Sequence, residues 1–95
     1  MSENLLDEQF WNLADSFIRL ANDHSRATGS GKVSAAMSYA AARFNAFVLA
    51  STKANAAELQ ADEDKAIEYF TEQYRKMLKE NLADYAKNYN RYLKK

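Results

Sequence analysis

The chain has 95 residues, no cysteine and no proline, with 13 basic and 13 acidic side chains that cancel in sum. That length fits one domain with a small core. The charge balance gives no global pull toward nucleic acid or anionic membrane, and the missing thiols exclude disulfides, thiolate metal sites and cysteine catalysis.

The acidic start, Met1 to Glu8, lacks the basic region of a secretory leader. From there an amphipathic helix is expected over about 4–25. Leu6, Phe10, Leu13, Phe17, Leu20 and Ala21 step by three and four, widened by Trp11, Ala14 and Ile18. Glu8, Asn12, Asp15, Arg19 and Asn22 take the other side, and Asn4 is the expected N-cap. Both glycines, Gly29 and Gly31, fall in the turn that follows. A helix N-terminus with Lys32 behind it is a weak anion-site pattern, but the spacing matches no phosphate-binding loop, so a plain turn is expected.

A second helix is expected over about 31–52. Val33, Met37, Phe44, Phe47 and Val48 form its large apolar stripe, and nearly everything else is alanine or serine. A helix that is small or apolar almost all round is expected to be central and buried on more than one side. Arg43 is its sole charge between Lys32 and Lys53. It reads first as a buried ion-pair residue bonded to a carboxylate of a neighbouring helix, because an unpaired buried guanidinium is very costly. Snorkelling to solvent and recognition of an anionic ligand are the alternatives. Arg43 and Asn45 also interrupt the best candidate for a membrane span.

The third helix is expected over about 55–93 and is the longest. Asn55 followed by Glu58 is a capping-box pattern, and Asp62, Glu63 and Asp64 offer a second possible start. Ala66, Phe70, Tyr74, Met77, Leu78, Leu82, Tyr85, Tyr89, Tyr92 and Leu93 keep a three-four rhythm to the end. Unbroken, such a helix is about 58 Å long against about 33 Å for the second. Part of its stripe then needs a partner from outside the monomer. These patterns predict an all-α, three-helix bundle with a long C-terminal helix, assembling as a helical homodimer. Phe44, Phe47, Tyr85, Tyr89, Tyr92 and Leu93 are the candidate interface.

The segment from Gly31 through Phe47, with Ala42-Arg43-Phe44-Asn45-Ala46-Phe47 at its end, resembles an uncharacterised bacterial family. So does Tyr69-Phe70-Thr71-Glu72-Gln73-Tyr74-Arg75-Lys76-Met77-Leu78. The family is known as domain of unknown function three-one-four-four. The resemblance covers nearly the whole chain and implies a small helical bacterial protein, with no activity, ligand or catalytic residue.

Chemistry is sparse. The sole histidine, His24, closes the first helix and reads as a helix-end residue rather than a ligand. No Glu-x-x-His pairs of the di-iron type occur, and Ser34 and Ser38 have no histidine near them in the sequence. No catalytic residue, metal site or cofactor is therefore assigned. Residues 1–23 carry a net −4 and residues 75–95 a net +5, which partly suits the helix dipoles. Tyr85, Tyr89 and Tyr92, interleaved with Lys87, Arg91, Lys94 and Lys95, read as the wet edge of a helix–helix contact. The alternative is a nucleic-acid or anionic-membrane-surface binder, and a small-ligand binder using Arg43 stands behind both. The expectation is a cytoplasmic, non-enzymatic interaction module that self-associates, with its protein partner and role unspecified.

Overall fold

A computed structural model describes residues 6–93. The described residues are all-α, with no strand, in five helical segments. These are α1 (Glu8–Thr28), α2 (Ser30–Ala50), α3 (Ala56–Ala61), α4 (Glu63–Lys87) and α5 (Tyr89–Leu93). The chain divides into two units, Met1–Leu49 and Ala50–Lys95. The expected cap Asn4 and the tail residues Lys94 and Lys95 lie outside the described residues.

In the first unit α1 is capped by Asp7, whose Oδ1 accepts the Phe10 N–H at 3.0 Å. Trp11 Nε1 donates to the Leu6 carbonyl at 3.1 Å, and its ring meets the edge of Phe10 at 4.8 Å. The helix continues past His24 to Thr28, because nothing in Ser25-Arg26-Ala27-Thr28 breaks it. Thr28 Oγ1 donates to the His24 carbonyl at 3.0 Å. The turn is a single residue. Gly29, at φ 92° and ψ 145°, closes α1 through its N–H to the Ser25 carbonyl at 2.9 Å. This conformation lies close to a region that essentially only glycine occupies. Gly31 is already inside α2, so one glycine makes the joint rather than two.

The expected burial of α2 is not found. Val33 is the one buried side chain among the described residues. Tyr39, Phe44 and Phe47 stay about two-thirds exposed, at 67%, 63% and 64%. Small side chains let a helix be approached closely but do not by themselves bring a neighbour onto it.

In the second unit the long third helix is broken twice. The capping box forms as expected: Asn55 Oδ1 accepts the Glu58 N–H at 2.9 Å, and Glu58 Oε1 accepts the Ala54 N–H at 2.8 Å. It opens only the short α3. At Asp62 (φ −97°, ψ 3°) the chain leaves helical geometry, and the carboxylate turns back to Lys53 Nζ at 3.2 Å. The pair is three-quarters to two-thirds buried, with side chains 24% and 31% exposed, and it braces the turn that carries α3. The second break is at Asn88 (φ −112°, ψ 30°), between α4 and α5. Asp and Asn offer the backbone local side-chain partners that compete with the helical ladder, which an apolar rhythm does not register. The longest continuous piece is α4, 25 residues or about 37 Å. The length mismatch expected from the sequence is therefore absent.

Candidate functional site

Two clusters gather the residues singled out by the sequence. On α2, Phe44 and Phe47 lie three residues apart, and their tilted rings have centroids 6.0 Å apart. Both rings are nearly two-thirds exposed, and Val48 beside them is 46% exposed.

The second cluster closes α4 onto α5. Asp84 is its hub. Asn88 Nδ2 donates to Asp84 Oδ1 at 2.8 Å and to the Asp84 carbonyl at 3.2 Å. The Tyr92 hydroxyl donates to Asp84 Oδ2 at 2.9 Å. Tyr85 and Tyr92 bring their rings to 4.6 Å, and the Arg91 guanidinium lies 5.9 Å from the Tyr92 centroid. Tyr89 and Leu93 lie on α5 with part of their surface open. Asp84, Asn88 and Tyr92 stand four residues apart in succession, so one helical face collects them. The apolar rhythm draws attention to the tyrosines and passes over Asp84 and Asn88, which organise them.

The hydrogen bond to Asp84 raises the Tyr92 phenol above its ordinary value of 10.0, with lesser contributions from desolvation and from the carboxylate charge. The protonated hydroxyl is the donor, so this bond is lost as pH rises through the raised value. Absorbance titration of the phenolates should therefore show one late-ionising tyrosine. Asp84→Asn should lower it towards that ordinary value. A late phase that survives Asp84→Asn would contradict this account.

Arg43 is exposed on α2, so it is not the buried ion-pair residue expected from its apolar surroundings. Those surroundings are themselves open to solvent. Arg43→Ala should shift stability by less than about 0.5 kcal/mol, measured by denaturant unfolding, and a loss of several times that would restore a structural role. His24, Ser34 and Ser38 are likewise exposed. Among the described residues no group of three or more His, Cys, Asp or Glu side chains could hold a metal ion. Among the same residues no helix is long and apolar enough to cross a membrane.

The described residues thus form an all-α arrangement of five helical segments whose large apolar side chains are mostly open. The chain belongs to the family described as protein of unknown function DUF3144, whose model matches residues 10–86 and so spans both units. No curated protein and no solved structure is significantly similar to it.

Proposed function

We propose that this protein is a non-enzymatic helical interaction module that self-associates, most simply as a homodimer. One observation carries the reading: Val33 is buried alone, while large side chains on α1, α2 and α4 remain open to solvent. Neither unit by itself builds the core that folding requires, and apolar faces of this extent usually mark an interface. A second copy is the partner always present at matching concentration, and closed two-fold dimers are the commonest assembly.

The nucleic-acid reading of the tail has less support. Tyr85 and Tyr92 lie against each other at a tilt, and Asp84 sets a carboxylate among the basic residues, whereas a stacking platform needs free ring faces in a positive groove. The small-ligand reading has less support because Arg43 is exposed, whereas ligand sites are concave and bury most of their occupant.

Light scattering coupled to size exclusion should give about twice the 10.8 kDa chain mass at micromolar concentration. A mass of one chain at every concentration up to high micromolar would end the proposal.

A further inference from the structure

Helix α4 carries an apolar stripe that α3 and α5, at its two ends, leave open. Ile67, Tyr74, Met77 and Leu82 are 56%, 55%, 51% and 61% exposed, and Phe70 and Leu78 stand between them. Along one edge of the stripe runs a row of charges, Asp64, Glu68, Arg75 and Lys79, spaced by four, seven and four residues. That spacing keeps all four in one narrow sector of the helix, next to Leu82. The row is acidic in its first half and basic in its second. The same reversal marks the whole helix: four carboxylates against Lys65 before residue 75, then four basic residues against Glu80 and Asp84 up to Lys87.

Helix-dipole chemistry does not account for the row. The dipole acts within the first and last turns, whereas Glu68, Arg75 and Lys79 lie inside α4. Arg75 Nε is 3.5 Å from Glu72, but both side chains are half exposed or more, and such pairs exchange partners at little cost. The order of signs is what an antiparallel copy of the same helix would complement.

We propose that α4 pairs with α4 of a second copy in an antiparallel arrangement, about a two-fold axis near residues 71 and 72. This rests on the self-association proposed above and specifies its surface. With that axis Glu68 of each copy lies opposite Arg75 of the other, and Asp64 opposite Lys79. Within one residue of the same register, Phe70 meets Tyr74 and Ile67 meets Met77. Charge row and apolar stripe therefore ask for one alignment. A parallel pair would set acid on acid and base on base, a juxtaposition that costs affinity. Helix α1 offers no such code, because its charges Asp15, Arg19, Asp23 and Arg26 alternate in sign and lie on the side away from its apolar stripe.

The test uses full-length chains with the row made single-signed. One variant carries Asp64→Lys and Glu68→Lys, the other Arg75→Glu and Lys79→Glu. Each alone should self-associate roughly tenfold more weakly than the wild type, or worse, by light scattering. An equimolar mixture should recover the wild-type mass, as should one chain bearing all four changes, and that recovery also shows that the variants fold. Because the chain has no cysteine, a nitroxide on Lys87→Cys reports orientation in the dimer. Antiparallel pairing in this register places the two labels about 46 Å apart along the axis, whereas parallel pairing leaves them about one interhelix spacing apart, roughly 10 Å. If both variants dimerise as the wild type does, or the labels lie close, the α4 pairing is wrong while self-association stands. A monomeric wild type removes both.

Discussion

Gly29→Ala is expected to join α1 and α2 into one helix. The joint depends on a φ of 92°, and an alanine held there costs about 1–3 kcal/mol of backbone strain. A Cβ at this position would meet no atom within 4 Å, so the penalty comes from the backbone alone. The helical alternative becomes more favourable at the same time, by about 1 kcal/mol, since alanine replaces glycine in a helix interior. Both effects push the same way, and Ala27-Thr28 before and Ser30 after already belong to helices. Spin labels at positions 15 and 43, both exposed, should move to about 42 Å, the rise of 28 helical residues. Helical circular dichroism should also increase slightly. An unchanged label distance, with unchanged stability, would show that the joint is set by something other than glycine.

Asn55→Ala should release α3. The substitution removes the acceptor for the Glu58 N–H, a loss of about 1 kcal/mol within a range of about 0.5–2. For a six-residue helix that matters more than for a long one, because so short a segment cannot hold itself. The remaining brace is the Lys53–Asp62 ion pair. Amide hydrogen exchange should therefore lose protection at Glu58 and Leu59 first, with α4 from Ala66 onward keeping its own. Asn55→Asp keeps the acceptor and should restore most of the protection. Equal protection in the alanine variant would mean that the ion pair alone organises the turn.

The cap at Asn55 was readable because a capping box is local: two side chains and two backbone N–H groups within five residues suffice. The joint at Gly29 was readable for the same reason, although Gly31 was needlessly assigned to it. Asp7 caps α1 by the same local rule, since a short side-chain acceptor just before the first turn suffices. The apolar rhythm that runs from Ala66 to Leu93 hid the break at Asn88. Hydrophobic periodicity records which face a residue takes, and a one-residue interruption bonded to Asp84 scarcely disturbs that record.

Local grammar by itself determined that this chain is helical, with a glycine joint near residue 29 and a capped start at Asn55. Propensities, caps and breakers act over a single turn and need no distant partner. Whether a face is covered is another kind of question. Arg43 was expected inside because its neighbours in sequence are apolar, yet burial depends on what lies against a helix, and here it is exposed beside Tyr39, Phe44 and Phe47. Likewise only the three-dimensional structure tied Tyr92 to Asp84 across the break at Asn88, and Lys53 to Asp62 across the length of α3, since the rhythm of apolar residues records neither pairing.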